Sequence, residues 1–375
     1  MATKTWTQTS GNLASTDANW SGGAKPLAGD AVVFDNTSDA NCTWDLALEL
    51  ASYTQAAGYD GIVTVAASTP WSTTGDITIA SGTLTSVITS TITCGGNLVK
   101  SGGTITAGKI VLIMSNGGNL SINASTDFYS LRISGDTALI GAAGILSLWM
   151  TLTVDLARTL TLTRALSMSP QYAGASISNL GTIAGTGIFT FAFSGWDFTT
   201  TFGLINAPVV ISIPVGVAAN RILTLGADTV FGSTLSVYSS HASNTLSILA
   251  GASNRKLTVA GLVTLGNRGI FTQGTGAWTF GSLTQNGVSS VITTGGPLIV
   301  NGATAISDGA WAVNATSTVL SLNQTGGAIT VAVSKVLYYI TTLAQTGGTS
   351  SGTITQNQGR KTPIPTRGMD VTRLD

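Results

Sequence analysis

Residues 76–106, DITIASGTLTSVITSTITCGGNLVKSGGTIT, consist of short triplets in which apolar and polar residues alternate. The triplets are Ile77-Thr78-Ile79, Thr83-Leu84-Thr85, Thr91-Ile92-Thr93 and Thr104-Ile105-Thr106, and they are separated by Gly, Ser and Asn. A period of two bounded by turn-forming residues indicates short, half-buried β-strands. Triplets of this kind recur every six to ten residues, which is closer than the spacing of about 8–12 residues in β-sandwiches.

A longer period lies on top of the triplets. Ile77, Leu98 and Leu120 are 21 and 22 residues apart. A second series is spaced by 22, 21, 20, 22 and 20 residues and consists of Leu235, Leu257, Trp278, Leu298, Leu320 and Ile340. A repeat of about 21 residues predicts an all-β parallel β-helix, or β-solenoid, in which each repeat is one coil. Tandem β-sandwiches are the alternative architecture, but residues 61–359 show no linker-like break.

Two breaks in composition divide the chain into three parts. Residues 1–60 hold seven of the sixteen acidic residues and three of the eight tryptophans, Trp6, Trp20 and Trp44. A solenoid exposes open strand edges at its ends, so we expect 1–60 to be an N-terminal cap on a body formed by 61–359. Residues 360–375, RKTPIPTRGMDVTRLD, form the third part.

The third part is expected to be an extended C-terminal arm. Its prolines favour an extended backbone, and its apolar residues suit docking on a neighbouring subunit or an attachment site. A frayed, solvated terminus is the alternative. The residues proposed for assembly or anchoring are Arg360, Lys361, Pro363, Ile364, Pro365, Arg367, Met369, Val371 and Leu374.

The charge of the chain limits its partners. Charged residues make up 9% of the 375 residues, the net charge is zero, and Glu49 is the single glutamate. No basic face is available to bind nucleic acid, and the most apolar stretch, Leu139–Met150, is too short to span a bilayer. Because an uncharged surface does little to keep molecules apart, we expect a homo-oligomer, with a trimer as the expected state.

Residue types that carry catalysis are scarce. His241 is the only histidine, whereas a zinc site or a nucleophilic triad needs further positioned groups. Cys42 and Cys94 are expected to be buried thiols. Gly274-Thr275-Gly276 lacks the rest of a dinucleotide motif. The sequence therefore predicts neither an enzyme nor a cofactor.

Carboxylates and tryptophans leave alternatives open. In the body, isolated turn residues are favoured over a glycosidase pair, for which Asp136 and Asp155 are the nearest candidates; the set is Asp76, Asp127, Asp136, Asp155, Asp197, Asp228 and Asp308. Turn roles are likewise favoured over calcium binding for Asp30, Asp35, Asp39 and Asp45. Packing is favoured over a sugar-binding groove for Trp71, Trp149, Trp196, Trp278 and Trp311.

Asn19-Trp20-Ser21-Gly22-Gly23, Gly29-Asp30 and the following strand-like run 31–35 resemble the opening of bacterial and phage β-solenoid surface and virion proteins. Residues 50–53 and 58–65 resemble their early coils, so the likeness covers about the first 65 residues. The resemblance implies the fold more than the function. Its viral members are tail spikes, fibres and capsid-decorating proteins.

The N-terminal residues MATKTWTQTSG lack the apolar core of a secretory signal, which favours the viral version. We therefore expect a structural protein of a virus particle, most simply a tailed-phage spike, fibre or capsid decoration with a mechanical or adhesive role. Its expected partners are other virion proteins and a host surface polysaccharide. The alternatives are a prokaryotic cell-surface adhesin or filament subunit, and a spike that binds or cleaves polysaccharide.

Overall fold

The apolar–polar triplets form the strands of a parallel β-solenoid of about 15 turns, with coils of about 21 residues. This computed structural model describes residues 1–67, 69–106, 109–142, 144–194, 198–217, 219–250 and 254–357. The predicted fold class is confirmed, and tandem sandwiches are excluded by the continuous parallel pairing. The proposed arm, 360–375, lies outside the described residues.

Strands in the first half of the chain are short until two long strands, β15 and β17. In chain order they are β1 (Thr3–Thr5), β2 (Ala31–Phe34), β3 (Cys42–Trp44), β4 (Glu49–Leu50), β5 (Ser52–Gln55), β6 (Ile62–Val65), β7 (Trp71–Thr73), β8 (Ile77–Ile79), β9 (Thr83–Ser86), β10 (Ser90–Cys94), β11 (Leu98–Lys100), β12 (Thr104–Ile105), β13 (Ile110–Met114), β14 (Gly118–Ile122), β15 (Thr126–Ile133), β16 (Thr137–Ile140), β17 (Leu146–Val154), β18 (Thr159–Leu162), β19 (Leu166–Met168) and β20 (Ser176–Asn179).

Long strands dominate the last third of the solenoid. The remaining strands are β21 (Thr182–Gly185), β22 (Phe189–Ala192), β23 (Phe198–Thr200), β24 (Leu204–Ile205), β25 (Val209–Ile213), β26 (Arg221–Leu225), β27 (Thr229–Phe231), β28 (Leu235–Ser239), β29 (Leu246–Leu249), β30 (Leu257–Leu265), β31 (Gly269–Thr272), β32 (Trp278–Gln285), β33 (Val291–Thr294), β34 (Leu298–Ile306), β35 (Ala310–Val313), β36 (Ser317–Gln324), β37 (Ala328–Val331), β38 (Val336–Gln345), β39 (Thr349–Ser351) and β40 (Thr353–Gln356).

The strands stack into three parallel ladders around one core. The first ladder includes β7, β10 and β13 and ends at β39. The second runs from β1 through β2, β5 and β8 to β40, and it crosses residue 60 without interruption. The third begins with β3, β6, β9 and β12 and later contains β19, β22, β25 and β28. Each long strand supplies two ladders and turns a corner between them.

The alternation of apolar and polar residues in each strand determines which side chains form the core. In β13, Ile110, Leu112 and Met114 are buried while Val111 and Ile113 are only partly covered, because alternate side chains of a strand point to opposite faces. The inward residues of all coils join into one continuous hydrophobic cluster. Two single-turn 3-10 helices, Asp17–Asn19 and Ser21–Gly23, occur before β2. No helix in the described ranges is long and apolar enough to cross a membrane.

Corners within the long strands carry β-bulges. Register shifts occur in the pairing of β30 with β32, of β32 with β34, and of β34 with β36. Gly281 lies at such a corner, where a side chain would meet the carbonyl groups of Ala260 and Gly261 in the preceding coil. The close approach of stacked backbones therefore requires glycine at this position.

The structure partly corrects the predicted 21-residue register. Ile77, Leu98 and Leu120 are ladder partners, and so are Leu257, Trp278 and Leu298.

Two other predicted steps are wrong, the one from Leu235 to Leu257 and the one from Leu298 to Leu320. Leu235 pairs with Val263, so Leu257 is not its partner. Leu320 and Ile340 fall at bulged corners, because Ser317 pairs with Leu337 and Ser321 with Thr342. Bulges and coils of unequal length shift the ladder away from a fixed period.

Within residues 254–357, the last coil has a neighbouring coil on one side only. Leu343 is 42% exposed, whereas its ladder partner Leu322 in the preceding coil is 1% exposed. Other inward positions of this coil are polar, including Gln345 and Ser350. The described part of the chain therefore ends in a partly polar, open strand edge.

Candidate functional site

The predicted cap tryptophans come together at the N-terminal end of the solenoid. Trp6 and Trp20 contact edge to face with ring centroids 5.1 Å apart, and the centroids of Trp20 and Trp44 are 6.3 Å apart. All three side chains are buried. Their indole N–H groups donate to the carbonyl groups of Ala40, Ala14 and Leu46, respectively. The cluster satisfies its own polar atoms, as buried tryptophan requires.

The acidic residues of 1–60 act as acceptors for backbone N–H groups. The Asp30 carboxylate accepts from Ala2 at 2.7 Å and from Leu27 at 3.1 Å. These two backbone hydrogen bonds lower the pKa of Asp30. Asp45 accepts from the backbone N–H of Ser15 at 2.9 Å and from its hydroxyl at 2.6 Å. Asp30 thus has the predicted turn role, whereas Asp45 links two segments that are 30 residues apart in the sequence.

Asp35 and Asp39 serve in the same way. Asp35 accepts from the Thr37 N–H at 2.8 Å, and Asp39 accepts from the Asp60 N–H at 3.1 Å. Nowhere in the described ranges do three or more His, Cys, Asp or Glu side chains form a group that could hold a metal ion.

Carboxylates of the body link adjacent coils by hydrogen bonds at the corners. Asp76 Oδ1 accepts from the N–H of Asn97 at 2.7 Å, and Asn97 Oδ1 accepts from the N–H of Asn119 at 2.8 Å. Asp136 and Asp228 accept in the same way from Thr159 at 2.9 Å and Lys256 at 3.0 Å. Corner N–H groups that lack a ladder partner are thereby satisfied.

The two candidates for a glycosidase pair, Asp136 and Asp155, have separate structural partners. Asp136 is engaged with Thr159, and Asp155 forms an ion pair with Arg132 at 2.9 Å. Here the ladders pair Ile133 with Val154 and Thr137 with Leu160, so two residues 19 positions apart are not ladder partners. Asp308 accepts from the N–H of Gly309, and Asp127 faces outward beside Ser147 in the next coil. Asp197 lies outside the described residues.

His241 and the two cysteines have structural surroundings. His241 lies in the turn after β28, as predicted, but its side chain is half-buried; its Nδ1 accepts from the N–H groups of Ser243 and Asn244 at 3.2 and 3.3 Å. Cys42 and Cys94 are free, buried thiols, which confirms the prediction. Burial raises the pKa of both thiols, so neither is a thiolate nucleophile at neutral pH.

Trp71, Trp278 and Trp311 are core residues, as predicted. Trp149 is different, because it lies half-exposed at the corner in the middle of β17. Trp196 lies outside the described residues.

One column of the third ladder carries Trp149 together with two tyrosines, Tyr129 and Tyr238, that sequence reasoning did not single out. Its inward neighbours are consecutive ladder partners: Phe128, Leu148, Met168, Phe191, Ile211, Val237, Leu265 and Gln285. The residue that follows each of them occupies the corresponding position in successive coils, and Ser212 is buried there. These residues are Tyr129, Trp149, Ser169, Ala192, Ser212, Tyr238, Gly266 and Asn286. We call this column the aromatic edge.

The aromatic edge holds three of the six aromatic side chains that are accessible in the described residues. Among aromatic side chains that the structure describes, those not buried are Tyr129, Trp149, Tyr172, Tyr238, Tyr338 and Tyr339. Tyr129, Trp149 and Tyr238 belong to the edge, and Tyr172 packs beside it with its ring centroid 6.0 Å from that of Tyr129. Only knowledge of the coil register could have aligned these residues, since their spacing in the sequence is irregular.

A cleft of about 450 Å³ adjoins the edge at Tyr238. Tyr238 is 36% exposed, and Gly266 follows it on the edge in the next coil. A Cβ atom at Gly266 would lie 3.0 Å from the Tyr238 Cβ, so a larger residue there would crowd Tyr238. Polar uncharged residues complete the lining, including Ser236, Ser240, Thr264 and Asn286.

No protein-family model, no curated protein and no solved structure matches this chain.

Proposed function

We propose that this chain is a structural protein of a virus particle, forming the shaft of a tailed-phage spike, fibre or capsid decoration. The observation that carries the proposal is the uninterrupted parallel ladder from β1 to β40, which suits a stiff shaft. About 15 turns, stacked at about 4.8 Å per coil, give a rod about 70 Å long.

The use of the polar groups supports a mechanical role. Side chains that would be candidates for catalysis in the body, such as Asp76, Asp136 and Asp228, are bound to backbone N–H groups of the next coil. A general acid or nucleophile needs a group free to exchange a proton or attack a substrate. The proposal is therefore a shaft without enzymatic activity.

Assembly into a homo-oligomer, expected to be a trimer, is part of the proposal. The chain has zero net charge and few charged residues, so little repulsion opposes the contact of two shafts. The aromatic cluster around Trp20 would seal one end of each shaft. Residues 360–375 would anchor it to other virion proteins.

Two measurements test the proposal. Mass photometry and negative-stain imaging of the purified chain should show discrete trimers whose rods are about 70 Å long. Mass spectrometry of virus particles purified from the source culture should detect the chain as a stoichiometric component. A globular monomer would contradict the shaft, and absence from the particles would contradict the viral assignment.

A cell-surface adhesin or filament subunit is the second candidate, because the same opening segment resembles bacterial surface proteins. Open-ended filaments in the images, together with an export signal in the parent gene, would favour this candidate.

A further inference from the structure

We propose that Asp308 isomerises to isoaspartate in the folded protein, through attack of the Gly309 backbone nitrogen on the Asp308 side-chain carboxyl group. The assignment goes beyond the proposed shaft and does not depend on its belonging to a virus particle. Its starting point is a contact between neighbours in the sequence, because the Gly309 nitrogen lies 2.6 Å from Asp308 Oδ1.

Asp308 uses its carboxylate differently from other aspartates at the corners of the solenoid. The carboxylates of Asp76, Asp136 and Asp228 accept hydrogen bonds from backbone N–H groups of the next coil. In the described ranges, the one hydrogen bond to the Asp308 carboxylate comes from Gly309. The Asp308 carboxyl group is therefore turned toward the following peptide bond, whereas the other three are turned toward the next coil.

The reaction needs only these two residues and water. The Gly309 nitrogen attacks Asp308 Cγ, a C–N bond forms, and the carboxyl group and the N–H together release a water molecule. The product is a succinimide ring, in which the nitrogen is bonded to both carbonyl carbons of Asp308. Water then adds to the main-chain carbonyl carbon and breaks the original peptide bond, which leaves isoaspartate and an unchanged mass.

Glycine at position 309 favours this attack. Gly309 has a φ angle of +83°, which glycine adopts at low cost, and it has no side chain to shield the nitrogen. A Cβ atom there would lie 2.5 Å from the Ser290 carbonyl oxygen and 2.6 Å from Gln285 Nε2, so a larger residue does not fit. Because the fold holds the nitrogen beside the carboxyl group, ring closure begins from a geometry close to that of attack.

Isoaspartate at position 308 would disturb the stacking of three coils. The Ala310 N–H donates to the Ser290 carbonyl at 2.8 Å, and the Ala328 N–H donates to the Gly309 carbonyl at 2.9 Å. Isoaspartate carries the main chain through Cβ and Cγ, which adds one bond of about 1.5 Å before Gly309. The displacement should therefore weaken the hydrogen bonds that join this coil to the preceding and following coils.

A second Asp-Gly pair, Asp60-Gly61, serves as the internal control. The Asp60 carboxylate accepts from the Ser81 hydroxyl at 3.3 Å, and among the described residues it forms no hydrogen bond with Gly61. The same dipeptide therefore occurs once with its reacting groups in contact and once without this contact.

The test is a comparison of two sites within one protein. The full chain is incubated in the native state and in guanidinium chloride, and isoaspartate is quantified at Asp308 and Asp60 by peptide mapping with electron-transfer fragmentation. In the native state we expect isoaspartate to accumulate about tenfold faster at Asp308 than at Asp60. In guanidinium chloride the two rates should become similar, because the same dipeptide is then free of the fold.

Asp308→Glu is the matched variant. It keeps a carboxylate, but attack by Gly309 would form a larger ring that closes far more slowly. Isomerisation at position 308 should therefore be lost, and isomerisation at Asp60 should be unchanged. Hydrogen exchange in peptides that contain Ser290 and Ala328 should increase with incubation time in the wild type and stay constant in the variant.

Two results would overturn the proposal. The first is a native-state rate at Asp308 that equals or falls below the rate at Asp60. The second is the same preference for Asp308 in guanidinium chloride, because the local sequence and not the fold would then be the cause. Neither result would bear on the length or particle location of the shaft.

Discussion

At a corner of the solenoid, a single side-chain oxygen can replace the ladder hydrogen bond that a turn cannot form. Asp76 does this for Asn97, and Asn97 does it for Asn119. The acceptor matters here more than the negative charge, because an asparagine fills the same role one coil later.

Replacement of Asp76 should separate these two contributions. Asp76→Ala leaves the Asn97 N–H without its acceptor and should lower the free energy of unfolding by about 1 kcal/mol. Asp76→Asn keeps an oxygen at the same position and should cost much less. Chemical denaturation of both variants gives the comparison, and equal losses would show that charge rather than hydrogen bonding is responsible.

Asp30 should make stability depend on pH. Hydrogen bonds from the backbone N–H groups of Ala2 and Leu27 lower its pKa below the ordinary value of 3.8. A depressed folded-state pKa adds stability above the unfolded pKa, and this stability is lost as the pH falls through the folded value. Asp30→Asn should therefore melt below the wild type at pH 7.

The difference between the two melting temperatures should shrink below about pH 3.8. Thermal melts of both proteins between pH 2 and pH 7 provide the measurement. A difference that stays constant over this range would contradict the assignment to the carboxylate.

At the scale of strands, the local pattern predicts much of the fold, and the long-range register does not follow from it. Leu152-Thr153-Val154 and Leu257-Thr258-Val259 lie in strands because alternation directly encodes which side chains face the core. Leu235 pairs with Val263, which lies 28 residues later in the sequence. No local feature of the sequence indicates that this coil is longer than the average coil. The aromatic edge was missed for the same reason, since its alignment exists only in the correct register.

The bulged corners offer a test at this scale. Gly281→Ala places a methyl group against the carbonyl groups of Ala260 and Gly261, and such overpacking should destabilise the protein by about 1–3 kcal/mol. Ser282→Ala, at the next position, is the control and should change stability little. Denaturant melts that show no difference between the two would contradict the stacked-backbone account.

The open final coil should exchange its amide hydrogens fastest. In the part of the chain that the structure describes, its edge strands β39 and β40 have a ladder partner on one side only, and its inward positions include the exposed Leu343. Local opening there costs little because few buried contacts are lost. Hydrogen-exchange mass spectrometry should show protection that declines from β36 to β40, and uniform protection to residue 357 would contradict this expectation.

For the molecule as a whole, electrostatics contributes little to cohesion. Arg132–Asp155 is the one ion pair found in the described ranges, and the net charge is zero. Salt screens interactions between exposed charges and leaves buried apolar contacts in place.

The proposed homo-oligomer should therefore keep its mass between about 0.05 and 1 M sodium chloride. Light scattering across this range, at constant protein concentration, is the measurement. Dissociation at high salt would show that charged contacts hold the subunits together. It would also point to the basic residues of 360–375 as the contact.

The aromatic cluster around Trp6, Trp20 and Trp44 is synthesised before the coils that stack on it. Once this cluster has folded, the strand edge beside it is available for pairing. The next coil of about 21 residues can pair with this edge as it is synthesised. At about 5–20 residues per second, a coil would be added every few seconds. The rod would thus be assembled coil by coil from its N-terminal end during translation. A translational pause would leave a shorter rod, not a misfolded chain.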